Sequence, residues 1–527
     1  MSSWSLLQNE TKMKKFHETQ RFQCHSAFVR VHLLLSRGLS VEAVSLFTTG
    51  CVQLTQKRFG VVIATDDDAR TCLERSRLAD IFYSQCQKAA NRVSNPNLDI
   101  TVRFSDSSIG EEWVEIVPSI RKQEVDQSHN VLVAKFPQVI PLMIFPPLPP
   151  IERTYRSVLF AGTFDHLHAG HRSILTQALF LVEDTLYVAI TTEELLLRKR
   201  CRSAIEPFDT RVINVDNFIR SIVPECKKDL EIVILPTPDS VGPAGYLDFD
   251  AIIVTPETAQ GGHGVNDARV ACGKSSVEIV TLDILDHASV EYKLSSSNIR
   301  SALCDVLPGG EDDLNELHSC FVDGLCRRIM EDAAIRTVGE VWWSKLRDMQ
   351  GLEPWRNYHT LRHVLELIHA AKDHYQAVIP VETALAIWFH DCVYDPRSPC
   401  NEDKSVHVFE EFADKISLPL KLKEDVACSI LYTKKHVQNI ADKGTPEWMC
   451  VFLELDLAVL GSFPDRYQEY KSQIRSEFSH LDDERFRKGR REFLEGISNF
   501  QFRYLRNKDD LNLRFTKNVS SEISELS

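Results

Sequence analysis

The stretch Thr163-Phe164-Asp165-His166-Leu167-His168-Ala169-Gly170-His171 constrains the fold of this chain more than any other. It follows the apolar run Val158-Leu159-Phe160, which reads as a buried strand. It precedes Ile174, Leu175, Ala178, Leu179 and Leu181, apolar positions at helical spacing. A strand, a tight turn containing glycine and a helix start leave backbone N–H groups unpaired and aim a helix dipole at one point, an arrangement that suits phosphate. Residues three apart share a helix face, so His168 and His171 are expected to point together at that anion. The chain is expected to handle nucleotide phosphates.

Charge and cysteine usage narrow the setting. Lys and Arg total 61 against 75 Asp and Glu, a net charge of −14 with no long basic tract, which argues against nucleic acid or an anionic membrane as partner. The 14 cysteines are scattered without a C-x-x-C pair, so neither a zinc ribbon nor a disulfide scaffold is indicated, and a reducing, cytoplasmic compartment is expected. Residues 1–30 hold no continuous apolar core of the signal-peptide kind. No run of about twenty apolar residues occurs, so no membrane span is expected.

Two breaks divide the chain. Pro146-Pro147-Leu148-Pro149-Pro150 blocks helix and ladder alike, and Pro308-Gly309-Gly310-Glu311-Asp312-Asp313 marks a second boundary. A multidomain protein is expected, with domains at 1–150, 151–310 and 311–527. The first has strand patterns at 29–35, 59–64 and 98–104 and a helical pattern at 69–93, an α/β domain of unreadable role. The second alternates strands at 157–161, 186–191, 231–235, 251–255 and 277–282 with helices at 171–182, 207–222, 265–272 and 296–304. That is the pattern of a Rossmann-like α/β domain with a parallel sheet, whose ligands sit at the carboxyl ends of the strands. The third is all-α, with amphipathic patterns at 361–372, 382–390 and 406–413. No internal repeat is visible in the residues.

Gly162-Thr163-Phe164-Asp165 with His168-Ala169-Gly170-His171 matches the signature of the H-x-G-H nucleotidyltransferases. Further segments follow in order: Pro207-Phe208-Asp209-Thr210-Arg211, Gly242-Pro243-Ala244-Gly245, Thr255-Pro256-Glu257-Thr258, Gly261-Gly262 with Asn266 and Arg269, and Lys293-Leu294-Ser295-Ser296-Ser297-Asn298-Ile299-Arg300. Together they resemble the eukaryotic and archaeal phosphopantetheine adenylyltransferases. The resemblance implies transfer of AMP from ATP to 4′-phosphopantetheine, giving dephospho-CoA and pyrophosphate, with Mg²⁺ carried on the ATP phosphates. It implies catalytic roles for His168, His171, Lys199 and Arg300. It also implies ATP or substrate binding by Thr163, Phe164, Gly170, Arg211, Asn266, Arg269, Ser295, Ser296 and Ser297. Lys199 is the member of the Arg198-Lys199-Arg200 cluster expected to take the acceptor phosphate. Gln260 departs from the family, where a basic residue often stands. The chain contains no Walker loop G-x-x-x-x-G-K-[ST], so its synthetic role is expected to end at dephospho-CoA, with a separate dephospho-CoA kinase as a potential associate.

The third domain carries Tyr358-His359-Thr360-Leu361-Arg362-His363, then Trp388-Phe389-His390-Asp391, Asn401 to Ser405, and Asp456 to Gly461. Imidazoles and carboxylates together suit a divalent transition metal and leave positions open for water. These segments resemble the HD-domain superfamily of metal-dependent phosphohydrolases. The resemblance implies metal ligation by His363, His390, Asp391 and Asp456, with Mn, Fe, Ni, Co or Zn as the ion, and a further contact from His359. A phosphate ester or nucleotide is the implied substrate. Two other readings stand beside these: an H-x-G-H transferase acting on nicotinamide mononucleotide or a cytidylyl acceptor, and a regulatory scaffold that binds nucleotide without turning it over.

Overall fold

The structure, a computed structural model, describes residues 154–197, 199–223, 229–282, 295–331, 334 and 338–526, and the backbone of four strands before them. Those four are β1 (Cys24–Leu33), β2 (Thr55–Thr65), β3 (Asp99–Phe104) and β4 (Val114–Ile116), paired in parallel in the order β3-β2-β1-β4. Three of them overlie the strand patterns read from the sequence. β4 has three residues, too few to display a period. The helical pattern at 69–93 lies outside the described residues, as do Arg198 and Lys293.

A second parallel sheet carries the strand–helix alternation. β5 (Tyr155–Gly162), β6 (Val182–Thr191), β7 (Glu231–Thr237), β8 (Ala251–Val254) and β9 (Glu278–Thr281) pair in the order β7-β6-β5-β8-β9. Central β5 places Val158 opposite both Leu186 and Ala251, and all three are fully buried, as expected for strands covered on both faces. The longer helices are α1 (Ala169–Leu181), α2 (Phe208–Ile222), α3 (Ala259–Ala271) and α4 (Ser296–Asp305). From β5 the chain steps outward through β6 to β7, then returns to the other side of β5 for β8 and β9. The reversal beside β5 opens a crevice at its carboxyl end, and the histidine loop begins there. The first four strands of this sheet follow the same relative order as β1–β4, a repetition of topology without a visible repetition of residues.

The pattern at 265–272 understates α3, which starts six residues earlier. Gly261, Gly262 and Gly264 lie in its first turns, and glycine disfavours helix by about 1 kcal/mol each. Gly262 packs closely on the sheet, since a Cβ there would stand 3.1 Å from Val254 Cγ1, tighter than ordinary contact.

The described chain divides into two compact units, Met1–Arg202 with Phe208–Ile299, and Ser203–Pro207 with Arg300–Ser527. Segment Ser203–Pro207 joins the second because Trp343 Nε1 and Arg347 both donate to Ser203 O, at 3.0 and 3.1 Å. That second unit is helical: α5 (Glu311–Ser319), α6 (Glu340–Gly351), α7 (Leu361–Tyr375), α8 (Val381–Phe389), α9 (Asn401–Lys415), α10 (Leu420–Tyr432), α11 (Glu447–Leu457), α12 (Pro464–Glu477), α13 (Asp483–Ile497) and α14 (Lys508–Leu526). An aromatic cluster anchors its core. Trp388 packs edge-on to Phe321 at 5.1 Å and to Trp343 at 6.0 Å, while Phe389 meets Phe409 and Phe412 at 5.3 and 5.1 Å.

Candidate active site and candidate metal centre

The loop between β5 and α1 reverses sharply. Phe164 and His166 have φ of 53° and 46°, the left-handed region that non-glycine residues avoid. Burial holds the strain: the Phe164 ring is fully buried, edge-on to Phe160 at 5.3 Å and 5.6 Å from the His171 ring. His168 caps α1, its Nδ1 accepting from Gly170 N at 3.2 Å. In the neutral ring, that contact leaves the proton on Nε2. The His168 and His171 rings stack at 3.9 Å. Burial, then the neighbouring imidazole, pushes His168 well below the usual imidazole range, and burial pushes His171 down to about 4. Both rings are therefore neutral near pH 7 and offer N–H donors rather than charge.

Cations come from elsewhere in the same unit. Lys199 Nζ donates to Thr163 Oγ1 at 2.8 Å. The fully buried Arg211 guanidinium donates to Thr163 O at 2.9 Å and Thr191 O at 2.8 Å, tying together the carboxyl ends of β5 and β6. Ser296 Oγ donates to Asp165 O at 2.8 Å, which fastens the start of α4 to the histidine loop. Ser295 accepts from Asn298 N at 3.2 Å as a local cap, and Arg300 is buried one turn further on. Thr163, Phe164, His168, His171, Lys199, Arg211 and Ser296 are thus joined to the loop by direct contact.

Asn266 and Arg269 have structural partners. Asn266 exchanges two hydrogen bonds with the Val277 backbone, both 2.9 Å, securing the approach to β9. Arg269 donates to the carbonyls of Ser275, Ala244 and Leu247 at 3.0, 2.6 and 2.8 Å, with its guanidinium over Phe249. The Gly242–Gly245 turn is held through Ala244 in this way.

The helical unit builds a second cluster from helix ends. His363 lies in the first turn of α7, behind the Thr360 cap; His390 and Asp391 follow the end of α8; Asp456 is in the last turn of α11. His363 Nε2 stands 3.1 Å from Asp456 Oδ1 and 3.3 Å from His390 Nε2, which in turn is 3.3 Å from Asp391 Oδ2 and 3.6 Å from Asp456 Oδ1. Ligands to one transition-metal ion at ~2.1 Å lie no more than ~4.2 Å apart, so these spacings fit a shared ion. Two further observations bear on the fit. His390 Nδ1 contacts Ile387 O at 3.0 Å, a bond that leaves Nε2 as a lone pair facing the cluster. Asp391 and Asp456 stand at helix C-termini, where the backbone already carries partial negative charge, so a cation between them relieves an unfavourable arrangement. In the protein alone the imidazoles supply it: against burial, Asp391 and Asp456 raise His390 well above the usual range, and against burial His390 holds Asp456 well below its own.

Two participants carry no local sequence signal. His436, beside Lys434 and Lys435, reads as part of a solvated basic run, yet its Nε2 is 2.7 Å from Asp456 Oδ2. Glu477 reads as one more acid on a charged helix. Its buried carboxylate accepts from the backbone N–H groups of Asn357, Tyr358 and His359 at 2.8, 2.8 and 3.0 Å, and lies 2.7 Å from His359 Nδ1. His359 Nε2 is thereby turned toward Asp391, at 3.8 Å.

The family described as Cytidylyltransferase-like matches residues 159–302. Over 156 residues the chain is 31% identical to the phosphopantetheine adenylyltransferase of Pyrococcus furiosus, covering 29% of this chain and 93% of that protein. This chain belongs to the phosphopantetheine adenylyltransferase family. The family's Thermococcus gammatolerans member is 32% identical over 156 residues, covering 94% of that protein. The Saccharomyces cerevisiae member is 35% identical over 146 residues; there the chain spans about half the length of the relative, 47%. A solved structure of an Archaeoglobus fulgidus protein of unknown function aligns with 26% of this chain at 27% identity and a TM-score of 0.21.

Proposed function

We propose that the nucleotidyltransferase region transfers AMP from ATP to 4′-phosphopantetheine. A phosphate oxygen of the acceptor attacks the α-phosphorus of ATP, the bond to the bridging oxygen breaks, and pyrophosphate leaves with dephospho-CoA as the other product. The observation that carries this reading is the neutral His168–His171 stack at the β5 carboxyl end, with Thr163 and Lys199 hydrogen-bonded beside it. Phosphoryl transfer asks the protein for positioning and charge stabilisation rather than covalent chemistry. Histidine N–H donors there suit the transferring phosphoryl oxygens, and Lys199 suits the acceptor phosphate, its ammonium held by Thr163. Arg300 and Ser295 to Ser297 are assigned to the outer ATP phosphates, Phe164 and Gly170 to the pocket wall. Asn266 and Arg269 support the nucleotide side by fixing the turns around α3. Mg²⁺ carried on the ATP phosphates would supply charge neutralisation for the departing pyrophosphate. The test is pyrophosphate release from ATP and 4′-phosphopantetheine. ATP binding without pyrophosphate, unchanged by His171→Ala, would sink the reading.

For the helical unit we propose a metal-dependent phosphohydrolase, with His363, His390, Asp391 and Asp456 as ligands. A divalent transition metal held there would supply a bound hydroxide at neutral pH. His359 and His436 border the ligands and suit substrate phosphate. Equal metal content in wild type and Asp391→Ala would remove this assignment. Among the described residues no helix is long and apolar enough to cross a membrane. Scattered cysteines and the absence of a Walker loop fit a cytoplasmic enzyme that passes dephospho-CoA to a separate kinase.

A further inference from the structure

Beside the metal cluster, the helical unit forms a half-open cavity of about 310 Å³, lined from α7, α11, α12 and α14 and the segments between them. Of the cluster residues only His363 lines it. His359, His390, Asp391, Asp456 and His436 do not. Its walls are mostly aliphatic, with Leu367, Leu455, Val459, Leu505 and Leu511. Three lining side chains nevertheless carry a buried polar atom with no hydrogen-bond partner among the described residues: Tyr358 OH, His363 Nδ1 and His374 Nδ1. Tyr358 is 5% exposed and His363 1%. A buried polar group left unpaired costs roughly 1–3 kcal/mol, so Tyr358 and His363 together on one cavity point to a missing partner.

The donor pattern defines that partner. His363 turns Nε2 to Asp456 and His390, and a neutral ring that offers this nitrogen to a metal carries its proton on Nδ1. His363 Nδ1–H and Tyr358 O–H are then donors seeking acceptors. The charges on the wall do not balance evenly. Glu366 is chelated by Arg466 at 2.8 and 2.9 Å and contacted by Arg362 at 3.1 Å. Arg514 donates through Nε to Gly461 O at 2.7 Å, lies over the Phe463 ring, and has no carboxylate partner among the described residues. One unmatched guanidinium suits a single negative charge, whereas a phosphate dianion would remain half compensated. At ~300 Å³ the space is at the small end of ligand pockets.

We infer that this cavity binds a small aliphatic carboxylate, its head group held by Arg514, Tyr358 and the outer nitrogen of His363, its chain against the leucine wall. The donor assignment of His363 rests on the metal reading above; the cavity, Arg514 and Tyr358 do not. Bonded to His363, the carboxylate orients a metal ligand from behind, so occupancy of the two sites is coupled, and reciprocally so.

Hexanoate is the probe, titrated calorimetrically into the full-length, metal-loaded protein, with 1-hexanol and inorganic phosphate as comparisons. Hexanoate binding is expected to saturate, and hexanol and phosphate to bind roughly tenfold more weakly or less, the loss of one charge-assisted contact. Arg514→Ala should weaken hexanoate by a similar factor, and Ala370→Phe, which fills the cavity, should abolish binding while circular dichroism stays unchanged. Saturating hexanoate should raise Mn²⁺ affinity by at least several-fold. Absent or non-saturable hexanoate binding, binding indifferent to both variants, or phosphate binding tighter than hexanoate would overturn the carboxylate site. Unchanged Mn²⁺ affinity would overturn the bond to His363. Hexanoate binding retained by Asp391→Ala separates the cavity from the metal: if that variant keeps its metal too, the ligand assignment fails while the cavity stands.

Discussion

His171 is neutral because it is buried in a stack, and this sets how its removal is read. The ring supplies a donor, so His171→Ala should lower kcat for pyrophosphate release by about 10²-fold or more, the usual loss for one preorganised donor. KM for ATP should move much less, and a change confined to KM would count against the assignment. The pH dependence has a definite sign. The folded ring titrates at about 4, below the ordinary imidazole value of 6.5, so the unfolded chain takes up more protons between these values. Stability from this residue is full above pH 6.5 and is lost as pH falls toward 4. Urea midpoints measured from pH 7 to 4.5 should fall less steeply in His171→Asn than in wild type. Asp391 makes the matching case in the helical unit. Asp391→Ala should purify without bound divalent metal, measured by elemental analysis.

At the scale of elements, helix ends do the positioning. Glu477, at the end of α12, satisfies three consecutive N–H groups ahead of α7 and fixes the His359 ring with the same carboxylate. Against burial, His359 and those N–H groups hold Glu477 down to about 2. Glu477→Ala leaves buried donors and an imidazole unpaired and should cost about 3 kcal/mol in denaturant unfolding. A loss below ~1 kcal/mol would mean that water replaces the carboxylate. Since the folded carboxylate is depressed below 4.5, its contribution is complete above that pH and disappears on acidification toward 2. Glu477 lay hidden in the sequence because an acid on a polar helix face has no local mark of burial. Spacing did place His363, His390 and Asp391 near the ends of α7 and α8. The start of α3 was less legible, because Gly261, Gly262 and Gly264 weaken its helical pattern, and of the three only Gly262 packs against the sheet.

At the scale of the whole molecule, the described chain forms two compact units, with the His168–His171 loop in the first and the His363–His390–Asp391 cluster in the second. Their sites should respond independently to mutation, as residues without shared partners do. His171→Ala is expected to keep the wild-type metal content, and Asp391→Ala the wild-type rate of pyrophosphate release. Loss of both properties in either variant would point to a shared folding defect. What the sequence alone determined was local: the strand, turn and capped helix around His168 and His171, the alternation that dictates a parallel sheet, and the helical segments bearing His363, His390 and Asp391. These depend on periodicity and on hydrogen bonds that close within a few residues. Tertiary structure decided the rest. Ser296 meets Asp165 across 131 residues, and Glu477 meets His359 across 118. Arg211 settles into a buried post between two strand ends, and Asn266 and Arg269 become braces for turns. The cavity behind His363 belongs to four helices at once. Such juxtapositions follow from how apolar faces pack, and a side chain's partner across a packed interface leaves no trace in its own neighbourhood of sequence.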